Sequence, residues 1–254
     1  MNFSAWFSCI NGCSRKHSLE DVVYRCPDCG DLLEVTHDVQ ALKARSAEEW
    51  KALFDARYRR APWPYASGVW GKKEWVHPGL DDANVVSTME GASSLFRADR
   101  LAREVGAGEL WIKQCGQTHT GSFKDLGMTV LVSAVNQMRA RGRPIRAVAC
   151  ASTGDTSATL SAYAAAAGMR CRILVPETAS YPKIAQIAAC GAEVLTIKGT
   201  RQDVADAAMR MSREIFYASH NWQPFFVEGT KTLAYELWEQ LGFHAPDNVV
   251  IPVG

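Results

Sequence analysis

No surplus of either charge, no long apolar run and no nucleotide-binding glycine loop occurs in this chain. Lys and Arg number 28 against 27 Asp and Glu, so there is no basic excess of the kind that draws a protein onto nucleic acid or an anionic membrane. No apolar stretch reaches the roughly 18 residues that a membrane-spanning helix needs. Neither Gly-x-Gly-x-x-Gly nor a Walker A loop is present, which removes the main support for a dinucleotide or nucleotide site. Residues Met1–Cys13 lack a basic segment followed by an apolar one and are not Arg/Ser-rich, so a cytoplasmic location is expected. Internal repeats and low-complexity tracts are also missing.

What is present suits a folded body of good size. The 254 residues, 47% hydrophobic and 22% charged, can bury a substantial core. Eight cysteines fall into two groups. Cys115, Cys150, Cys171 and Cys190 stand singly among apolar neighbours and read as small buried hydrophobes. Cys9, Cys13, Cys26 and Cys29 cluster, and the run Cys26-Pro27-Asp28-Cys29-Gly30 has the form of a zinc-ribbon knuckle. A structural zinc site held by these four thiolates fits the spacing, as does a ribbon that closes without metal. Val22, Val23 and Tyr24 between the halves suggest a short hairpin strand.

Three regions are expected: a ribbon-like module over 1–38, a helical and aromatic extension over 39–84, and an α/β region over 85–254 with a smaller subdomain near 125–215. The extension reads as one helix, Val39 to Arg60, followed by Trp63, Tyr65, Trp70 and Trp75, which would pack it onto the main body. From residue 110 onward strand and helix patterns alternate, which argues for parallel sheets flanked by helices. Strands are expected at 110–113, 146–151, 171–176, 193–198, 216–219 and 248–253. Helices are expected at 122–141, 155–167, 181–190, 201–215 and 228–241.

The run Thr118-His119-Thr120-Gly121-Ser122-Phe123-Lys124-Asp125-Leu126-Gly127-Met128 carries the strongest chemical signal. It sets a lysine in the first turn of a helix, where the macrodipole works against a cation. An amine disfavoured as a cation is suited to condensing with a carbonyl, as in pyridoxal phosphate enzymes. Phe123 and Met128 would give it apolar cover. A second run, Cys150-Ala151-Ser152-Thr153-Gly154-Asp155-Thr156-Ser157, follows a strand and opens a helix. Free amides there, with the hydroxyls of Ser152, Thr153 and Thr156 and close approach at Gly154, make a carboxylate site; a plain helix cap is the alternative.

These two runs, and Leu110–Met128 as a whole, resemble the threonine synthases, in their plant-type branch, within the fold-type II pyridoxal phosphate enzymes. That resemblance spans nearly the whole chain and implies a tryptophan synthase β-like α/β fold with a homodimer as the assembly. It implies Lys124 as the cofactor-bearing, proton-shuttling residue, Asp155 beside the cofactor ring, and residues 152–156 gripping the substrate carboxylate. Gly254 would open the loop that cradles the cofactor phosphate, so the chain is expected to be a piece of a longer enzyme and to bind cofactor poorly by itself. The implied reaction converts O-phospho-L-homoserine and water to L-threonine and phosphate.

Two segments depart from the family pattern. Phe226 stands where a phosphate-binding Arg is usual, and Gln223 where Asn is usual, with Lys231 nearby as a substitute cation. Met89-Glu90-Gly91-Ala92-Ser93-Ser94-Leu95 stands where relatives carry Gly-Glu-Gly-Asn-Thr-Pro-Leu or a near variant. Asp155 stands where many relatives have Asn, although Asp is usual in the plant-type branch. A diverged β- or γ-replacement enzyme is therefore a second candidate, and a non-catalytic zinc-ribbon binding protein a third.

Overall fold

The computed structural model describes residues 3–212 and 215–252. At the N-terminus β1 (Ala5–Cys9) pairs antiparallel with β2 (Leu33–His37), Ala5 facing His37 and Cys9 facing Leu33. The intervening loop touches the pair through a bridge between Phe7 and His17. Val22–Tyr24, expected as a strand, form none, because the tyrosine is used as a wedge against the main sheet. The expected single helix over 39–60 is two, α1 (Val39–Lys43) and α2 (Ala47–Arg57). Ser46 breaks it. Its hydroxyl accepts from the Glu49 amide while the Glu49 carboxylate accepts from the Ser46 amide, a reciprocal cap that starts a new helix.

Trp75, on α3 (Lys73–Val76), packs edge-to-face on Trp50 and Phe54 of α2, with ring centroids 5.4 and 5.0 Å away. Trp70 is fully buried and donates to the Thr129 hydroxyl at 2.8 Å. The Tyr65 hydroxyl reaches Asp82 at 2.8 Å. Trp63, in contrast, is 53% exposed and anchors nothing. Trp70, and Trp75 through the Tyr235 ring at 5.3 Å, meet the main body, whereas the Tyr65 contact stays within the extension.

Next come β3 (Leu95–Arg97), α4 (Asp99–Val105) and β4 (Trp111–Lys113); β4 pairs antiparallel with β3 and joins no parallel sheet. The central unit then runs α5 (Lys124–Ala140), β5 (Ala147–Ala151), α6 (Asp155–Ala166), β6 (Arg170–Pro176), α7 (Tyr181–Ala189), β7 (Glu193–Ile197), α8 (Arg201–Met211) and β8 (Phe216–Tyr217). Its four strands are parallel in the order β7-β6-β5-β8. Two helices follow, α9 (Pro224–Thr230) and α10 (Thr232–Gln240), where one had been expected from residue 228. Residues 248–252 form no strand, since no neighbour among the described residues offers them a ladder; Val249–Ile251 are exposed. No helix among the described residues is long and apolar enough to cross a membrane.

α5 is the centre of the core, with Leu126, Met128, Leu131, Val132, Val135 and Met138 all buried. α9 crosses it at very close range. A Cβ on Gly229 would sit 1.8 Å from the Leu126 carbonyl oxygen, and one on Gly127 would sit 2.5 Å from the Phe226 ring. Only hydrogen fits at either position.

His77 lies buried in the same core, its ring stacked on Phe225 at 5.5 Å and its Nδ1 without a hydrogen bond among the described residues. Burial pulls its pKa down to about 4, and the nearby His37 and Lys73 push the same way. An unfolded histidine takes its proton near pH 6.5. Between these two values the unfolded chain binds the extra proton, so stability falls as the pH drops from about 6.5 to about 4, by roughly 3 kcal/mol in total. His77→Phe, which keeps the stack, should flatten that limb of the stability curve in urea titrations run across this pH range.

Candidate active site

The strand order places a site before any side chain is considered. The chain steps from β5 outward to β6 and β7, then returns to put β8 on the other side of β5. In open parallel sheets ligands settle beyond the carboxyl ends of the strands where the winding reverses, here between β5 and β8. The loop after β5 opens α6, the segment after β8 carries Ser219–Gln223, and α5 begins at the same end because its far end feeds the start of β5.

Lys124 sits at that head of α5. Its loop is tied down by Asp125, whose buried carboxylate accepts from the Thr120 amide at 2.8 Å and the Thr120 hydroxyl at 2.5 Å. An anion in the first turn is favoured by the helix dipole, so the pin also stabilises α5. The Lys124 amine lies 3.5 Å from the centre of the Phe123 ring. Desolvation holds its pKa below the ordinary lysine value, against an opposing pull from the Asp155 charge. The ring face favours the cation, but desolvation dominates. Met128, expected to share the apolar cover, is fully buried in the core.

Asp155, at the start of α6, lies near enough for its charge to act on this amine. Gly154 is the cap residue and no side chain caps the helix, so the plain-cap alternative does not hold. Among the described residues the Asp155 and Thr156 amides have no hydrogen-bond partner. The Ser157 hydroxyl donates to the Ser152 carbonyl at 2.5 Å and the Gly154 amide to the Ser152 hydroxyl at 3.2 Å, which fixes the loop's curvature. A Cβ at Gly154 would meet nothing within 4 Å. Gly154 is therefore open on the side that a Cβ would take.

One member of the site is absent from the sequence expectations. His220, three residues beyond β8, brings its Nδ1 to 3.3 Å from the Thr156 hydroxyl and its ring edge-to-face with Phe226 at 5.7 Å. Desolvation, and then the Lys124 charge, push its pKa down, so it stands neutral beside the amine. No motif spacing marks this histidine. Its only sequence signal is its place just past a parallel strand next to the winding reversal.

The structure also settles two of the departures. Phe226 is buried against Gly127, one turn along α5 from Lys124, and presents no cation. The Gln223 side chain donates to the Tyr217 carbonyl at 3.0 Å. Lys231 is no substitute for the missing arginine, because its amine pairs with Glu228 and lies 3.3 Å from His37 Nε2. His37 Nε2 is itself 2.6 Å from that Glu228 carboxylate.

The early motif is held by buried Glu90, which accepts from Ser67, Ser87 and Tyr163 at 2.7–2.8 Å. Within it Met89 has φ 65° and Ala92 φ 50°. These are the two positions where the family motif has Gly and Asn, residues that adopt left-handed backbone readily. Met89→Gly should therefore stabilise the protein by about 0.5–1 kcal/mol, raising Tm by a few degrees in calorimetry.

Lys124, Asp155, Thr156 and His220 thus converge, with Ser152, Thr153 and Gly154 on the loop beside them. An amine held below its usual pKa, an open side at Gly154 and free amides fit pyridoxal phosphate and an amino-acid carboxylate. Gly254, the expected start of the phosphate loop, lies outside the described residues. Cys9, Cys13, Cys26 and Cys29 form a second constellation elsewhere, their Sγ atoms all within 4.8 Å of one another. Cys150 and Cys171 are buried as expected, whereas Cys115 and Cys190 are only half-buried.

A family model described as pyridoxal-phosphate dependent enzyme matches residues 86–254. Threonine synthase 2, chloroplastic, of Arabidopsis thaliana is 44% identical over 248 residues, 95% of this chain and 47% of that protein. Threonine synthase of Methanocaldococcus jannaschii is 38% identical, over 97% of this chain and 56% of its own. The chain spans about half the length of these relatives. Among solved structures, a pyridoxal 5'-phosphate-dependent aspartate racemase aligns over 59% of this chain and 46% of its own, with a TM-score of 0.52 and 26% identity. A cysteine synthase from Entamoeba histolytica aligns over 60% and 48%, with a TM-score of 0.56; at 20% identity it speaks for the fold alone.

Proposed function

The chain belongs to the pyridoxal-phosphate dependent enzymes, and from that premise we propose that it is a threonine synthase-like lyase taking O-phospho-L-homoserine and water to L-threonine and phosphate. The observation that carries this is Lys124 at the head of α5, near the uncapped start of α6 at the winding reversal. Held by Lys124, pyridoxal phosphate would supply an electron sink for the substrate carbons.

The residues of the chain supply the rest. The Asp155 and Thr156 amides, with the hydroxyls of Thr153 and Thr156, hold the substrate carboxylate at the positive end of α6. That grip orients the carbons toward the Lys124 amine. Lys124, whose amine would hold the cofactor, would take protons from those carbons and return them as the γ-phosphate leaves and water adds at the β-carbon. A lowered pKa leaves more of the amine free to accept a proton near neutrality. His220, hydrogen-bonded to Thr156, fixes the hydroxyl's direction.

Phosphate release from O-phospho-L-homoserine, with threonine formed in equal amount, is the test; no release removes this reading. One observation favours a second. Phe226 puts an apolar ring where a phosphate-binding arginine is expected, which suits an uncharged leaving group. Release from acyl-homoserines in preference to phosphohomoserine would assign a diverged β- or γ-replacement enzyme. A homodimer and a cytoplasmic location complete the proposal, the first measurable by light scattering of the purified protein.

A further inference from the structure

We propose that Cys9, Cys13, Cys26 and Cys29 hold one zinc ion, and that this ion anchors the loop that presses Tyr24 onto the edge of β8, the strand that ends three residues before His220. The metal site stands independently of the proposed function; only the consequence for His220 rests on it.

The geometry is that of a closed tetrathiolate. Zinc–sulfur bonds of about 2.3 Å in a tetrahedron place sulfurs about 3.8 Å apart. Here all four Sγ atoms lie within 4.8 Å of one another, Cys9 and Cys29 at 3.4 Å, and none is in a disulfide. The backbone is already shaped for it. Gly12 at φ 77° turns the chain between Cys9 and Cys13, its amide on the Cys9 carbonyl at 3.0 Å. Gly30 at φ 79° closes the second half, its amide on the Cys26 carbonyl at 2.8 Å. Four ligands and no open position make a structural ion, not a catalytic one.

The loop has little else to hold it. Leu19 and Cys26 are its only buried apolar residues among those described, too small a core to order it unaided. Yet it makes specific contacts with the catalytic body. The Tyr24 hydroxyl accepts the Tyr217 amide at 2.9 Å, and its ring meets Phe216 and Tyr217 edge-to-face at 5.8 and 6.5 Å. The Arg25 guanidinium lies 4.2 Å from the centre of the Trp222 ring, and Asp21 pairs with Arg143 at 3.1 Å.

Tyr217 explains why this matters. The Ala218 amide bonds inward to Ala149 of β5 at 2.7 Å, so by strand alternation the Tyr217 amide points to the sheet's open edge. An edge amide inside a packed protein needs a partner. Tyr24 is that partner, and Tyr217 stands three residues before His220.

Purified protein should contain one zinc per chain by elemental analysis. Cobalt replacing it should give the intense thiolate charge-transfer absorption of a tetrahedral four-sulfur site. Stripping the metal with a chelator should speed deuterium exchange at the Tyr217 amide at least tenfold while leaving the α5 amides unchanged. Tyr24→Phe, which keeps every cysteine, should reproduce that faster exchange with zinc still bound, which holds even where Cys26→Ser fails to fold. Absence of metal, a Cys9–Cys29 disulfide in its place, iron as the bound ion, or unchanged Tyr217 exchange on zinc removal would each overturn the proposal. Loss of phosphohomoserine turnover with the zinc result intact would instead count against the enzymatic reading alone.

Discussion

Lys124→Ala lowers turnover by a factor on the order of 10^4 and leaves the fold as stable as before, or slightly more so. The first half follows from asking one amine both to carry the cofactor and to move the protons, so that removing it removes two functions together. The second half follows from position. A cation in the first turn of α5 opposes the helix dipole, an effect of about 0.3–1 kcal/mol at exposed sites, and among the described residues the Lys124 side chain makes no hydrogen bond that could be lost, only its backbone amide doing so. A purely structural lysine would behave in the reverse way, costing stability and sparing turnover. Paired measurements of kcat and Tm on the two proteins separate these cases.

Gly229→Ala should be the most damaging single substitution in the core for its size. Its methyl would overlap the Leu126 carbonyl oxygen at 1.8 Å and the Gly127 Cα at 2.7 Å, both backbone atoms that cannot rotate away. α9 must then lift from α5. Overpacking typically costs 1–3 kcal/mol, and a clash with backbone belongs at the upper end, about 3 kcal/mol or more. For a chain of this size that is a fall in Tm of roughly 6–12 °C. Lifting α9 also moves Phe226 and the His220 ring packed on it, so turnover should fall with stability. Gly154→Ala is the contrasting substitution. Its φ of −122° suits any residue and its Cβ meets nothing within 4 Å, so Tm should hold while KM rises.

The contrast between these glycines shows what sequence alone can carry. The central α/β unit was readable because its signals are local: apolar spacing along α5, the short apolar run of β5, and the Ser-Thr-Gly-Asp-Thr turn into α6. Lys124 was readable for the same reason, since its oddity is its place on one helix. Ser46-Ala47-Glu48-Glu49 spells a capping box and could have divided α1 from α2. Other features depend on what lies across the fold. Nothing local tells that Tyr24 is a wedge, that β3 and β4 pair with each other, or that Lys231 is spent on Glu228. His220 is the clearest case. It becomes a site residue only because β8 lies beside β5, and that neighbour relation joins segments far apart in the chain.

The location of the cofactor linkage tests the central claim most directly. The purified protein is loaded with pyridoxal phosphate, reduced with borohydride to fix any amine linkage, digested, and mapped by mass. Cofactor on Lys124, and its loss in Lys124→Ala, is the result this account predicts. Cofactor fixed to a different lysine, or to none, would contradict it.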